Sequence, residues 1–228
     1  MKIITPYAKI IASPYYKEGD DKLFNIQDGI KLLRHIEWCG RISHRSEEQQ
    51  TEDSWRRIIQ NIVLEHGDWS IVEHAVVTVE AYVDRGITHE WVRHRLFSYT
   101  QESTRFVNYQ KKIPPSFIRP DGMSEESTNV WNTLIDNCEK IYQYLLNTGH
   151  TPQIARSVFP NALASKLIIT GNLRNWRHFL IMRTTKETHP QMKEVTIPLL
   201  TKFKQCIPLL YDDLEPNVRQ IDNLRKPR

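Results

Sequence analysis

Residues 93–105 read Arg93-His94-Arg95-Leu96-Phe97-Ser98-Tyr99-Thr100-Gln101-Glu102-Ser103-Thr104-Arg105. The stretch places three arginines and one histidine within thirteen residues. Unpaired guanidinium groups are almost never fully buried, so no soluble fold needs this density of cations for its core. The plainer explanation is a solvated basic surface. An arginine side chain also binds phosphate through two parallel hydrogen bonds, so the stretch equally predicts an anion-binding site.

The composition is typical of an ordinary globular protein that handles anions. Of the 228 residues, 39% are hydrophobic and 25% are charged, and the formal net charge is +4. This charge is too small to distinguish a nucleotide ligand from nucleic acid. No apolar run approaches the roughly 20 residues of a membrane helix. Pro6 interrupts the apolar start before it reaches the roughly 7 to 15 residues of a secretory signal. We therefore expect a cytoplasmic protein with no membrane partner.

The cysteines and histidines do not form a recognisable metal or disulfide pattern. Cys39, Cys138 and Cys206 lie far apart and include no Cys-x-x-Cys pair, so neither a disulfide framework nor a structural zinc site is expected. Each has apolar sequence neighbours, which predicts small buried side chains and not nucleophiles. His89 and His94 resemble a zinc motif, but five helical residues place them about 140° apart, so we expect no metal. The chain also lacks the Gly-x-Gly-x-x-Gly and Walker patterns, so the sequence supports neither a Rossmann dinucleotide fold nor a P-loop.

Hydrophobic spacing predicts one α+β domain over residues 1–228, in which helices surround a modest sheet. Alternating apolar residues at 77–83 predict a half-buried strand, and residues 106–110 and 164–170 are further strand candidates. Helical spacing predicts six helices, at 28–39, 51–65, 87–95, 125–146, 173–182 and 191–211. In the 125–146 helix we expect the core-facing stripe to consist of Val130, Leu134, Cys138, Ile141 and Leu145.

Three further clusters carry candidate functional side chains. Ser70 and Glu73 precede the first predicted strand, and Arg156 follows the 125–146 helix. Residues 172–183 contain Asn172, Arg174, His178 and Arg183. Taken alone, two of these clusters have a plainer structural explanation, namely a buried Glu-His pair at residues 73 and 74 and an exposed helix-end arginine at position 156.

Taken together, the four segments resemble the flavin-dependent thymidylate synthase family, whose signature is Arg-His-Arg, seven residues and then Ser. The triplet at residues 93–95 and Ser103 have this spacing. The resemblance covers residues 68–183, with the segments in the family's order. It implies that family's fold with a mainly antiparallel sheet, and a homotetramer whose sites are shared between subunits. It also implies conversion of dUMP to dTMP, with methylenetetrahydrofolate as the carbon donor and FAD, reduced by NADPH, as the hydride donor.

The resemblance also implies a role for individual residues. The expected dUMP-binding residues are Gln101, Ser103, Thr104, Arg105, Arg156 and Arg183. The expected FAD-binding residues are Ser70, Glu73, Arg93, His94, Arg95, Asn172, Arg174 and His178. Ser103 and Arg183 are the expected catalytic residues. The Arg183 cation would stabilise negative charge that develops on the uracil, whereas the unactivated Ser103 hydroxyl would position and polarise the substrate. We expect the segment from Gln101 to Arg105 to be extended, with its alternate side chains facing one way.

Two positions depart from the family pattern, and two other functions are compatible with parts of the sequence. Asp68 stands where many members have histidine, and Glu90 stands where glutamine often contacts the nucleotide; neither is placed in the predicted site. Six tryptophans and nine tyrosines would suit a nucleic-acid-binding module, but +4 is a low charge for one and we expect no nucleic-acid partner. The other alternative is a simple flavin reductase, for which the dUMP-binding residues would be surplus.

Overall fold

The computed structural model describes residues 1–12, 24–111 and 113–217, and the chain divides into two compact units. The first unit comprises Met1–Tyr7, Ala81–Arg93 and Tyr99–Ile168, and the second comprises Ala8–Glu80, His94–Ser98 and Ile169–Arg228. Each unit is therefore assembled from three separate segments of the chain. That residues 1–228 form one domain stays a prediction.

The strands form two sheets. They are β1 (Lys2–Ile3), β2 (Tyr7–Ala12), β3 (Val76–Asp84), β4 (Ser98–Gln101), β5 (Ser116–Phe117) and β6 (Ala164–Asn172). Strands β1 and β5 pair in parallel, and the larger sheet has the order β2-β3-β6-β4.

The larger sheet is antiparallel, as its pairings between β3 and β6 demonstrate. The hydroxyls of Thr78 and Thr170 lie 2.9 Å apart, and the N–H of Arg85 donates to the carbonyl of Leu163 at 3.1 Å. The residue numbers of the pairs therefore change in opposite directions along the two strands. The predicted mixed fold with a modest, mainly antiparallel sheet is confirmed.

Alternation of apolar and polar residues explains why strand β3 could be predicted. In β3, Val77, Val79 and Ala81 are fully buried while their neighbours in sequence are half-buried, which confirms the strand expected at 77–83. The strand expected at 164–170 is β6. The strand expected at 106–110 is wrong, because the Ser103 carbonyl accepts hydrogen bonds from the N–H groups of Phe106 and Val107 and turns the chain there. Strand β4 was missed because its sequence, Ser-Tyr-Thr-Gln, lacks apolar alternation.

The described residues contain seven α-helices. They are α1 (Ile26–Ile42), α2 (Trp55–Arg57), α3 (Arg85–Trp91), α4 (Glu125–Asn147), α5 (Pro152–Ala155), α6 (Leu173–Arg183) and α7 (Pro190–Cys206). The π-helix Ile58–Glu65 continues α2, and 3-10 helices lie at Glu47–Gln49, Trp69–His74 and Arg156–Val158. The helices predicted at 28–39, 51–65, 125–146 and 173–182 are confirmed. None of the helices in the described ranges has the length and apolar character needed to cross a membrane.

Two predicted helices end earlier than their apolar spacing suggested. Helix α3 stops at Trp91, whose carbonyl accepts a hydrogen bond from the Tyr99 hydroxyl at 2.6 Å. The Tyr99 side chain thus satisfies the Trp91 carbonyl, which in a longer helix would accept a backbone hydrogen bond from the next turn. Helix α7 stops at Cys206 and not at residue 211, because Pro208 has no N–H to donate and disfavours a helical residue before it.

The buried face of α4 differs from the predicted stripe. The side chains of Val130, Leu134 and Ile141 are 68%, 53% and 48% exposed. The first unit instead buries Tyr142, which packs in a cluster with Tyr109, and Ile135, which packs with Phe117 and Leu163. The predicted stripe is therefore wrong at Val130, Leu134 and Ile141, whereas Leu145 packs against the Tyr142 cluster. The spacing of apolar residues does not say which side of a helix the neighbouring elements cover.

In the second unit, α1 and α7 approach each other at a glycine. A Cβ atom on Gly29 would lie 1.6 Å from the backbone carbonyl oxygen of Cys206. Backbone atoms cannot move aside as the end of a flexible side chain can, so the two helices can adopt this spacing only when position 29 has no side chain.

We therefore predict that Gly29→Ala destabilises the protein. Overpacking typically costs about 1–3 kcal/mol, and the clash here is with backbone, which places the expected loss at the upper end of that range. Urea unfolding should show a lower midpoint with an unchanged slope. Lys31→Ala, at an exposed position of the same helix, is the matched control, and equal midpoints for the two variants would contradict the prediction.

Candidate functional site

The segment after β4 turns and does not stay extended. The Ser103 carbonyl accepts hydrogen bonds from the N–H groups of Phe106 and Val107, at 3.3 and 2.9 Å, and the Ser103 hydroxyl accepts one from the N–H of Arg105 at 3.3 Å. The expected extended geometry from Gln101 to Arg105 is therefore wrong. Gln101 itself lies in β4 and its amide donates to the hydroxyls of Thr88 and Ser165, at 3.1 and 3.3 Å.

Two arginines of the first unit are held by neutral partners. The Nε of Arg105 donates to the Gln153 side-chain oxygen at 3.0 Å, and Nη1 of Arg156 donates to the Thr104 hydroxyl at 3.1 Å. These two bonds join the same two segments, since Thr104 precedes Arg105 and Gln153 lies three residues before Arg156. The segments thus hold both guanidinium groups in one part of the unit.

Within the described ranges, no carboxylate pairs with either of these two arginines. No ion pair among the described residues includes Arg105 or Arg156, and both side chains are exposed. Thr104, which anchors Arg156, is buried. Two exposed cations on neutral anchors, one buried (Thr104) and one exposed (Gln153), form an arrangement that suits a phosphate ligand. Gln153 was not among the predicted site residues; no short motif marks it, and only the fold brings it to Arg105.

In the second unit, the segment with Ser70 and Glu73 contacts helix α6. Both residues lie in the 3-10 helix Trp69–His74, whose three residues per turn place them on one side. The Glu73 carboxylate accepts a hydrogen bond from Nη1 of Arg174 at 2.6 Å, with the two side chains 48% and 50% exposed. Two of the predicted FAD-binding segments are thus joined by an ion pair.

Asn172 begins α6 and is used as its cap. Its side-chain oxygen accepts a hydrogen bond from the N–H of Asn175 at 2.8 Å. The Asn175 amide in turn donates to the carbonyl of Leu96 at 3.0 Å, which attaches residues 94–98 to α6. Phe97 packs against Gly171, where an added Cβ would lie 2.3 Å from the ring. Asn175 and Gly171 were missed by the sequence analysis because they act on backbone and ring atoms distant in sequence.

At the other end of α6, Arg183 contacts His94. The Nε of Arg183 donates to Nε2 of His94 at 2.9 Å. The His94 ring packs edge-on against Phe179, with centroids 4.9 Å apart, and its centroid is 6.3 Å from that of His178. Burial, followed by the charges of Arg183 and His178, lowers the pKa of His94 to about 4. The imidazole is therefore neutral at physiological pH, and its Nε2 lone pair can accept the Arg183 hydrogen.

The predicted site residues divide between the two units. The first unit contains Arg93, Gln101, Ser103, Thr104, Arg105 and Arg156, and the second contains Ser70, Glu73, His94, Arg95, Asn172, Arg174, His178 and Arg183. The Arg-His-Arg triplet follows the end of α3 and is not helical, so the helix expected to reach residue 95 is wrong there. Arg93 and Arg95 are exposed and take part in no ion pair of the described residues.

The cysteines differ in burial. Cys206 is buried as expected, whereas Cys39 and Cys138 are only partly buried, which corrects the prediction for those two. Cys39 lies 3.7 Å from Nε2 of His35, but burial raises the pKa of Cys39 and also that of Cys138. Neither environment favours the thiolate that a nucleophile requires. In the described part of the chain, no three His, Cys, Asp or Glu residues lie together as a metal would require.

Comparison with known proteins decides the family. The family described as thymidylate synthase complementing protein matches residues 31–209. The chain belongs to this family. A flavin-dependent thymidylate synthase from Corynebacterium efficiens is 34% identical over 168 residues, which cover 67% of each chain. One from Corynebacterium aurimucosum is 30% identical over 194 residues, or 78% of each chain.

A more distant relative extends the similarity over most of the chain. The flavin-dependent thymidylate synthase of Pyrococcus furiosus is 29% identical over 198 residues, which cover 82% of this chain and 78% of the relative. Similarity thus extends well beyond the signature stretch at residues 93–105. The family resemblance inferred from the four sequence segments is confirmed.

Proposed function

We propose that this protein is a flavin-dependent thymidylate synthase that converts dUMP to dTMP. The observation that carries the proposal is the family match over residues 31–209, together with relatives that bear this name. The function requires sites for an anionic nucleotide and a flavin. The arginine clusters of the two units supply the cations for both.

The dUMP phosphate is the ligand proposed for Arg105 and Arg156. Neutral anchors on Gln153 and Thr104 support this assignment, since they orient the two guanidinium groups without cancelling their charge. Ser103 and Gln101 supply further polar groups for the nucleotide. Ser103 positions and polarises the substrate, because no base in the described part of the chain is bonded to its hydroxyl to make it a nucleophile.

FAD is the flavin proposed as the ligand of the predicted FAD-binding residues, and the chemistry of these residues suits it. Its pyrophosphate is an anion, and Arg93 and Arg95 are exposed cations without carboxylate partners among the described residues. Ser70, Glu73, Asn172, Arg174 and His178 add hydrogen-bonding and ring groups. When bound and reduced by NADPH, FAD supplies the hydride that completes the methyl group.

The role proposed for Arg183 is electrostatic. As C5 of the uracil becomes nucleophilic towards the carbon of methylenetetrahydrofolate, negative charge develops on the pyrimidine ring. A cation already held in place stabilises that charge without reorganisation at the moment of reaction. The contact with His94 supports this role, since it fixes one edge of the guanidinium group.

We also propose a homotetramer with sites shared between subunits.

Tritium release from 5-tritiated dUMP tests the function. The purified protein should be yellow and should release tritium only when methylenetetrahydrofolate and NADPH are both present. A yellow protein that oxidises NADPH but releases no tritium would be a simple flavin reductase. A colourless protein that releases none and binds single-stranded nucleic acid would favour the nucleic-acid-binding module.

We predict that the cysteines are dispensable for the chemistry. The triple variant Cys39→Ala, Cys138→Ala and Cys206→Ala should form dTMP at close to the wild-type rate, because no step requires a thiolate. Since Cys206 is buried and donates to the Phe24 carbonyl, the single Cys206→Ala variant serves as a stability control. A triple variant that folds and binds FAD but forms no dTMP would refute the cysteine-free mechanism.

Flavin retention should depend on the exposed face of α6. We predict that Arg174→Ala and His178→Ala each lower the flavin-to-protein absorbance ratio after gel filtration, because each removes a proposed FAD contact. Each change also has a matched control at an exposed position of the same unit, namely Arg57→Ala and His66→Ala. If Arg174→Ala and His178→Ala keep as much flavin as these controls, the assignment of α6 to FAD is wrong.

A further inference from the structure

The contact between Arg183 and His94 restricts the orientation of the guanidinium group. A guanidinium is planar, and its five N–H donors have a fixed geometry. Once its Nε donates to Nε2 of His94 at 2.9 Å, rotation about the last side-chain bonds of Arg183 breaks that hydrogen bond. The main chain of Arg183 is also fixed, since its carbonyl accepts a hydrogen bond from the Thr196 hydroxyl at 2.6 Å.

His94 is itself held in a defined position. Its ring packs against Phe179 at an interplanar angle of 75° and lies at 64° to the ring of His178. The neighbouring segment is attached to α6 through the bond from Asn175 to the Leu96 carbonyl. Because Nε2 accepts a hydrogen bond, the neutral imidazole carries its hydrogen on Nδ1.

We propose that His94 is a positioning residue for Arg183, whose guanidinium group it holds through Nε in the orientation that stabilises charge on the uracil. This inference rests on the proposed function of the site, and it gives His94 a role besides contact with FAD. It explains why a neutral histidine lies beside the arginine. A carboxylate in its place would reduce the positive charge available to the substrate, whereas imidazole fixes the geometry and leaves the charge in place.

Two substitutions distinguish the loss of the hydrogen bond to Arg183 from the loss of packing against Phe179. His94→Leu keeps an apolar side chain against Phe179 and removes the acceptor, while His94→Gln supplies an amide oxygen that can accept the same hydrogen. With FAD added to saturation, we expect His94→Leu to lower kcat about tenfold, as for loss of a hydrogen bond to a charged group, with the KM for dUMP little changed. His94→Gln should recover most of the loss. His66→Leu, at an exposed position of the same unit, should behave as wild type.

A double-mutant cycle decides whether His94 acts through Arg183. In an Arg183→Ala background, His94→Leu should cause no further loss in kcat, because its only proposed effect on turnover is through the missing guanidinium. A second, independent tenfold loss in that background would overturn the proposal. So would a His94→Leu variant that loses its flavin and keeps its turnover after flavin is added back.

A measurement on the unreacted protein separates this proposal from the proposed function. The Nε–H nuclear magnetic resonance signal of Arg183, assigned with Arg183→Lys, should exchange slowly with solvent in the wild type and His94→Gln and faster in His94→Leu. Equal exchange in all three would overturn the positioning role even if the enzyme is active. Exchange could follow the expected order while the wild type releases no tritium. In that case the contact between His94 and Arg183 is confirmed, but the proposed function is wrong, and so is the catalytic role given to this contact.

Discussion

Replacement of Arg183 by alanine is expected to lower kcat for dTMP formation by about 100- to 1,000-fold, the usual cost of removing one preorganised group that stabilises transition-state charge. The protein should nevertheless remain yellow, because Arg183 is assigned to the uracil and not to FAD. Tritium release measures the first effect, and the flavin-to-protein absorbance ratio measures the second.

The matched control for Arg183→Ala is Arg57→Ala, which removes an exposed arginine of the same unit and should change neither quantity. If Arg183→Ala were colourless while Arg174→Ala and His178→Ala stayed yellow, the ligands assigned to these three residues of α6 would have to be exchanged. Partial recovery by Arg183→Lys would support a role of charge, whereas no recovery would indicate that the geometry of the guanidinium fork is required.

Mixing two inactive variants is expected to restore activity if sites are shared between subunits. Arg93 lies in the first unit and Arg183 in the second. If a site takes these residues from different chains, a mixed tetramer of Arg93→Ala and Arg183→Ala contains some sites with neither lesion. Random reassembly of equal amounts leaves about one quarter of the sites intact, a large gain over either variant alone.

The experiment requires dissociation and reassembly of the two variants together, followed by tritium release. Each variant reassembled with itself is the control and should stay inactive. Light scattering on the wild type tests the assembly separately. A fully active monomer would refute shared sites, and a tetramer without recovery in the mixture would mean that Arg93 and Arg183 of one site come from the same chain.

Several elements could be predicted from sequence because their signal is local. The strand β3 follows from alternation between neighbouring residues, and the helices α1, α4 and α6 follow from apolar spacing. The structure adds the residues that cap these helices, Asn25, Ser124 and Asn172. The errors arose where the deciding partner is remote. The apolar stripe of α4 identified an apolar face, but burial depends on what packs against the helix, and residues from other parts of the first unit cover Ile135 and Tyr142 instead.

The same distinction applies to the candidate site. The sequence by itself determined which donors are available, namely the Arg-His-Arg triplet, Ser103 and the arginines at 105, 156, 174 and 183, and their order was sufficient to indicate the family. It did not determine their partners. Arg105 with Gln153, Arg156 with Thr104 and Arg183 with His94 are separated by 48, 52 and 89 positions along the chain.

Only the tertiary structure decided the chemical state of His94. A histidine in water has a pKa near 6.5, and its neighbours in sequence, Arg93 and Arg95, are not among the causes of the shift in the folded protein. Packing against Phe179 removes water from the ring, and α6 brings the charge of Arg183 to Nε2, so the pKa falls to about 4. Residue types and local spacing are properties of the sequence, whereas desolvation and contact between distant charges arise only when the chain has folded.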